Sequence, residues 1–116
     1  MVYSYLPCGF LFVGAGVYNF MKATLICAAR ALSLVQEFRY GCACLHSQRV
    51  AYYASCLAGE LGLPQKAQRN IYLAGLLHDL GKIGVPDAVL LKKGQLTAGE
   101  WEKIKLHPVF SYKILT

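Results

Sequence analysis

The sequence predicts an all-α fold, and three observations support that class. Apolar residues recur at three- and four-residue steps in several stretches, and turn-forming residues separate those stretches. No run of alternating apolar and polar residues is long enough to predict a strand. A length of 116 residues is enough for one modest domain, and a hydrophobic content of 56% excludes an intrinsically disordered chain. We therefore expect one helical core.

Residues 1–40 are predicted to form an apolar N-terminal segment and a lead-in helix. The first 21 residues carry no charged side chain, a length sufficient to span a bilayer, although Pro7 and several glycines dilute the run. Membrane association through residues 1–21 and burial against a partner both stay open. From Ala23 to Phe38 the apolar spacing predicts one helix face that leads into the domain. That face consists of Leu25, Ala28, Ala29, Leu32 and Val35.

Two further helices are expected before residue 82. The first runs from about His46 to Leu61, and Gly62 suits the left-handed residue that ends a helix. Its apolar stripe is Val50, Tyr53, Ala54, Leu57 and Leu61. Pro64 suits the first turn of the next helix, which is expected to run to Gly81. The stripe of that helix is Ile71, Ala74, Leu77 and Leu80.

The C-terminal part begins with a predicted loop, because the stretch from Lys82 to Asp87 contains two glycines and a proline. Thr97 and Glu100 have the spacing of a capping box, which predicts a helix start there. Pro108 is expected to open the last helix.

Charge and cysteine content restrict the function classes. The net charge is +6, but the basic residues are scattered and do not form the runs typical of nucleic-acid binding, so we expect no DNA partner. An odd count of five cysteines argues against a secreted disulfide scaffold and favours the reducing cytoplasm. Cys42, Cys44 and His46 leave a soft-metal site open as a minor alternative to buried apolar thiols.

The three histidines of the chain are the strongest candidates for chemistry. His46 begins one predicted helix, while His78 and His107 end two others, so a helical bundle can bring them together. Asp79 follows His78 in an apolar stretch, where an unpaired carboxylate would be costly. Imidazole and carboxylate groups suit zinc, iron or manganese. The alternative is an ion pair of Asp79 with Lys82 beside a hydrogen-bonded core histidine.

A family resemblance follows from the order of these motifs. The chain contains His46-Ser47-Gln48-Arg49-Val50, then the run from Leu77 to Asp87 with its His78-Asp79 pair, then Thr97 and Ile104-Lys105-Leu106-His107-Pro108. This order resembles the HD-GYP branch of the HD phosphohydrolase superfamily over about the last 75 residues. The resemblance implies a truncated HD-type helical bundle, with residues 41–116 as a partial HD domain.

The resemblance also implies a function and a set of site residues. The activity is metal-dependent hydrolysis of cyclic di-GMP in bacterial signal transduction, with a cyclic dinucleotide as substrate. His46, His78, Asp79 and His107 are similar to the metal ligands of the family, and Asp79 is similar to the residue that bridges two ions. Asp79 and Lys82 are the expected catalytic residues, and Lys82 is the expected phosphate-binding residue. The ions are expected to be of the iron or manganese type.

The sequence departs from the family at three points, one of which is that residues 1–30 resemble no part of it. Members with three ions have a glutamate where this chain has Cys42, so we expect two divalent ions. The His-His pair and Gly-Tyr-Pro loop of the family would follow Thr116, so activity of this chain by itself is an open question. A non-catalytic HD domain that serves as an interaction module, and another HD nucleotide phosphohydrolase, stay open as alternatives. A homodimer also stays open.

Overall fold

The computed structural model describes residues 8–41 and 45–116, with side chains described from residue 20 onward. The helices are α1 (Cys8–Tyr40), α2 (His46–Glu60), α3 (Gln65–Leu77), a 3₁₀ helix (Leu80–Gly84), α4 (Asp87–Leu90), α5 (Ala98–Lys105) and α6 (His107–Leu115). No strand occurs in the described ranges, and the predicted all-α class is confirmed. Residues 42–44, which include Cys42 and Cys44 of the soft-metal hypothesis, lie outside the description.

Helix α1 confirms the predicted lead-in helix, but the apolar face that the spacing indicates is mostly exposed. Leu25, Leu32 and Val35 are 48–69% exposed, and only Ala29 of the predicted face is buried. The side of α1 that contacts the rest of the chain carries Ser33 and Glu37 instead, both buried. This side contacts α2, α3 and the 3₁₀ helix. Ala29 packs with Ala51 and Leu76, and hydrogen bonds made by Gln36 and Glu37, which apolar periodicity does not report, add to this contact.

Helices α2 and α3 form the closest helix pair of the core. Ala51 is fully buried against Gly75, where an added Cβ would lie 2.6 Å from the Cα of Ala51. The predicted α2 stripe was wrong in detail, because Tyr53, Leu57 and Leu61 are exposed. Such a close approach of two backbones requires small residues at the contact, so α2 turns its alanines inward and its larger apolar residues outward.

The segment after α3 differs from the sequence prediction. Helix α3 ends at Leu77 instead of continuing to Gly81, and the predicted loop from Lys82 begins within the 3₁₀ helix Leu80–Gly84. The short helix α4 was not predicted. The left-handed conformation of Gly62, with φ of 74°, confirms the predicted stop of α2. The short 3₁₀ helix packs against α6 and holds Asp79 and Lys82 near His107, the first residue of α6.

The structure describes residues 8–40 of the predicted N-terminal segment. Within the described residues, no helix combines the length and apolar character needed to cross a bilayer. Residues 1–7 of the apolar opening lie outside the description. The division into residues 1–40 and 41–116 stays a prediction.

The capping box at the start of α5 is confirmed. The Thr97 hydroxyl accepts a hydrogen bond from the Glu100 N–H, and the Glu100 carboxylate accepts one from the Thr97 N–H at 2.7 Å. Lys92 donates to the same carboxylate. The hydrogen bond from Lys92, followed by that from Thr97, lowers the pKa of Glu100 to about 2.

We expect Thr97→Ala to lower the free energy of unfolding by about 1 kcal/mol, because an orphan N–H of α5 loses its acceptor. Urea denaturation followed by circular dichroism measures this loss. Thr24→Ala is the control, since Thr24 is exposed within α1 and caps no helix. A Thr97→Ala midpoint equal to that of the wild type would contradict the expectation.

Candidate metal centre

His78 and Asp79 lie in the turn that connects α3 to the 3₁₀ helix. The Nε2 atom of His78 is 3.3 Å from Oδ2 of Asp79, and the Asp79 side chain is only 15% exposed. The Lys82 ammonium donates to the same oxygen at 2.7 Å. The ion pair of Asp79 with Lys82 that was considered from the sequence is therefore present, and it lies beside His78.

His46 reaches this turn from the first residue of α2. One ligand atom each from His46, His78 and Asp79 lie within 4.8 Å of one another. The centroids of the two imidazole rings are 5.6 Å apart. Three potential ligands from two separate segments are thus close enough to share an ion.

His107, the first residue of α6, faces the other oxygen of the Asp79 carboxylate. Its Nε2 atom is 3.6 Å from Oδ1 of Asp79, whereas His78 and Lys82 face Oδ2. All four candidate ligands named from the sequence are therefore brought together around the Asp79 carboxylate. Lys82, the fifth candidate residue, lies beside them.

Two of the imidazoles are held in one orientation by backbone carbonyls. His78 Nδ1 is 2.7 Å from the Gly75 carbonyl oxygen, and His107 Nδ1 is 2.8 Å from that of Ile104. A carbonyl only accepts, so each Nδ1 carries a hydrogen. Each Nε2 faces Asp79, to which it donates when it is protonated, and it can bind a cation when it is not. This is the arrangement that fixes the tautomer of histidines that bind metals.

The charges of the site favour an ionised Asp79. Burial raises the pKa of this carboxyl, but the hydrogen bonds from His78 and Lys82 outweigh burial and hold the pKa well below its usual range. The hydrogen bond to Asp79 raises the pKa of His78. The anionic carboxylate of Asp79 therefore faces the Lys82 ammonium and two imidazoles. A cation between Asp79 and the Nε2 atoms would interact favourably with the carboxylate charge and with the nitrogen lone pairs.

The donor set fits a divalent transition metal. Imidazole nitrogen binds iron, zinc and related ions, and carboxylate oxygen suits manganese and iron. The two oxygens of Asp79 face different histidines, which is the geometry required of a carboxylate that bridges two ions.

The C-terminal turns of α1 also contribute to the site, and this contribution was not predicted from the sequence. The Gln36 side-chain amide donates to the Asp79 carbonyl, and the Tyr40 hydroxyl donates to the Lys82 carbonyl at 3.3 Å. Both side chains line a narrow cleft with Glu37, His46 and Asp79, together with Ser47 and Lys82. These contacts are made to backbone atoms, so no motif marks them. The one available signal was the presence of polar residues in a stretch with few charges.

Comparisons with known proteins identify the family to which the chain belongs. The sequence profile of the HD domain matches residues 45–116. The cyclic di-GMP phosphodiesterase response regulator RpfG of Xanthomonas campestris is 40% identical over 95 residues, which cover 82% of this chain and 24% of the relative. A cyclic di-GMP phosphodiesterase of Thermotoga maritima is 38% identical over 85 residues, which cover 73% of this chain and 23% of the relative.

A third relative is named for a different substrate. The 3'3'-cGAMP-specific phosphodiesterase 3 of Vibrio cholerae is 33% identical over 93 residues, which cover 80% of this chain and 20% of the relative. The chain thus spans about a quarter or less of the length of these relatives. The match over residues 45–116 confirms the resemblance seen in the motifs, and this chain belongs to the HD domain family.

Proposed function

We propose that this chain supplies part of the metal centre of a phosphodiesterase that hydrolyses cyclic di-GMP. The observation that carries the proposal is the convergence of His46, His78 and His107 on the Asp79 carboxylate. The names of the relatives from Xanthomonas and Thermotoga support the substrate. The scattered basic residues support a small cyclic dinucleotide as partner and not DNA.

The four converging residues are proposed to hold two ions of the iron or manganese type. Divalent ions in this position would polarise a phosphoryl oxygen and supply a nucleophile from water at neutral pH. Asp79 holds its two oxygens toward different histidines, so it is the proposed bridging ligand. The backbone carbonyls of Gly75 and Ile104 keep two of the imidazoles in the ligand orientation.

Lys82 is proposed to bind the phosphate of the substrate. Its ammonium pairs with Asp79, and its side chain is 25% exposed, so it has access to a ligand above the cluster. A lysine there offsets the negative charge that develops on the phosphodiester during attack. Cations bound to Asp79 would weaken its ion pair with Lys82, and the ammonium would then be available to the substrate.

The cyclic dinucleotide 3'3'-cGAMP is a second candidate substrate. Three Vibrio cholerae relatives that are 33–45% identical to this chain carry the name of 3'3'-cGAMP-specific phosphodiesterases.

The proposed location is the cytoplasm, because Cys27 and Cys56 are free thiols among the described residues.

We expect the 116-residue chain to be a poor phosphodiesterase on its own, because four protein ligands are too few to complete the coordination of two ions. The comparison is a chimera in which the segment that follows the matched region of the Thermotoga maritima relative is joined after Thr116. Turnover of cyclic di-GMP and 3'3'-cGAMP is measured by chromatography with Mn²⁺ or Fe²⁺.

The two outcomes of this assay have separate meanings. Comparable turnover by the chain and the chimera would contradict the expectation that further ligands are required. A folded chimera that binds Mn²⁺ but hydrolyses neither dinucleotide would contradict the proposed function. His46→Ala in the chimera controls for activity that comes from the added segment.

A further inference from the structure

A buried carboxylate on α1 binds the backbone at the start of α2. Glu37 is 7% exposed and accepts a hydrogen bond from the Leu45 N–H at 2.7 Å and one from the Ser47 N–H at 2.6 Å. Its two oxygens are divided between these donors, Oε2 with Leu45 and Oε1 with Ser47. Burial raises the pKa of Glu37, but the hydrogen bonds from Ser47 and Leu45 outweigh burial and lower it. The carboxylate is therefore ionised in its buried position.

Helix α2 requires an acceptor of this kind because its own N-cap supplies none. The N-cap residue is Leu45, whose apolar side chain makes no capping hydrogen bond. The first N–H groups of a helix have no partner within the helix, and Ser, Thr, Asp or Asn normally provides one from the N-cap position. Glu37 takes this role from a different helix. A negative charge there also interacts favourably with the N-terminal end of the helix dipole.

The residue between the two bonded donors is His46. Leu45 precedes it with a left-handed backbone, φ 68°, a conformation that leucine rarely adopts. Ser47 follows it and is buried. The backbone of His46 is thus held on both sides by one carboxylate, and the direction in which its imidazole leaves α2 depends on that carboxylate.

The same turns of α1 also hold the other half of the site. Gln36 bonds the Asp79 carbonyl, and Tyr40 bonds the Lys82 carbonyl. Glu37 therefore fixes His46 relative to a helix that also fixes the turn of His78 and Asp79. From this geometry we infer that Glu37 is a positioning residue that sets the distance between His46 and the His78–Asp79 pair. The inference rests on the proposed metal centre.

The test is a double-mutant cycle on Mn²⁺ affinity, measured by calorimetry on the 116-residue chain. Glu37→Gln keeps one acceptor oxygen but turns an NH₂ group toward the other N–H. We expect it to weaken Mn²⁺ binding by about 10- to 100-fold, the range typical of residues that orient metal ligands. Glu60→Gln, which makes the same change at an exposed site on α2, is expected to leave the affinity unchanged.

The His46→Ala background separates positioning from a general loss of stability. If Glu37 acts through His46, adding Glu37→Gln to His46→Ala should produce no further loss of affinity, because the residue that it positions is gone. Equal losses in the two backgrounds would overturn the inference, as would wild-type affinity in Glu37→Gln. Hydrogen exchange at the Leu45 and Ser47 amides, at least one of which should accelerate in Glu37→Gln, verifies that a capping bond was removed.

Failure of the metal centre gives a different result from failure of the positioning role. If neither the wild-type chain nor the folded chimera with the Thermotoga maritima segment binds Mn²⁺, both the proposed centre and the role of Glu37 are overturned. If only the chimera binds Mn²⁺, the cycle is measured on the chimera. A wild-type chain that binds Mn²⁺, with an unaffected Glu37→Gln variant, would overturn the role of Glu37 alone.

Discussion

Asp79→Asn is expected to weaken Mn²⁺ binding by more than about 100-fold, a larger loss than that typical of a residue that only orients a ligand. The substitution keeps the size of the side chain and removes its charge. Both oxygens of Asp79 face candidate ligands. One substitution would therefore weaken the binding of each ion that the carboxylate would contact. Calorimetric titration of the chain with Mn²⁺ measures the effect.

Thermal unfolding provides an independent measurement of the same loss. A ligand that binds only the folded state at 100 times its dissociation constant stabilises that state by about 2.7 kcal/mol. Mn²⁺ should therefore raise the melting temperature of the wild type and leave that of Asp79→Asn unchanged. Asp87→Asn is the matched control, because Asp87 is exposed and pairs with Arg39 at the surface. Wild-type affinity in Asp79→Asn would contradict the proposed centre.

Gly81→Ala is expected to lower the free energy of unfolding by about 3 kcal/mol or more, at the upper end of overpacking effects. A Cβ at Gly81 would lie 1.8 Å from the carbonyl oxygen of His107 and 2.5 Å from the backbone nitrogen of Ser111. These are backbone atoms of α6, so no side-chain rotation relieves the clash. The Gly81 N–H also donates to the Ser111 hydroxyl at 2.7 Å, and displacement of α6 would break this bond.

The displacement would also affect the site, because α6 begins with His107. We expect Gly81→Ala to weaken Mn²⁺ binding in addition to lowering stability in urea denaturation. Gly99→Ala is the control, since a Cβ at Gly99 meets no atom within 4 Å. A Gly81→Ala variant within about 1 kcal/mol of the wild type, the typical effect of a point substitution, would show that α6 is not held as the structure places it.

The sequence predicted those parts of the fold that depend on local signals. The capping box of Thr97 and Glu100 and the left-handed Gly62 mark helix ends through contacts within a few residues. His78, Asp79 and Lys82 were recognisable because they stand in one short motif, and their spacing alone places Lys82 beside Asp79.

The buried faces of the helices were not predictable by the same means. Periodicity selected Leu25, Leu32 and Val35 on α1, yet these residues are exposed and Ser33 is buried. Apolar spacing predicts burial only when the contact is made by apolar side chains. At this contact the helix is held by hydrogen bonds to residues 8 to 43 positions away, and local sequence does not encode those distances.

The role of Glu37 was hidden for a related reason. Its partners are backbone N–H groups, which every residue except proline offers, so the sequence cannot show which ones it will bind. A usable signal was present nonetheless. A helix that starts at His46 without Ser, Thr, Asp or Asn before it requires an acceptor from elsewhere, and Glu37 is the only carboxylate in the first 45 residues.

The contacts made by the last turns of α1 determine where an expressed fragment of this domain should begin. The family match begins at Leu45, so a fragment that starts there would contain all four candidate ligands. It would lack the helix whose last turns bond Leu45, Ser47 and the carbonyl of Asp79. Fragments designed from the matched range 45–116 alone should thus fold less stably and bind metal less tightly than fragments that begin upstream of Ser33.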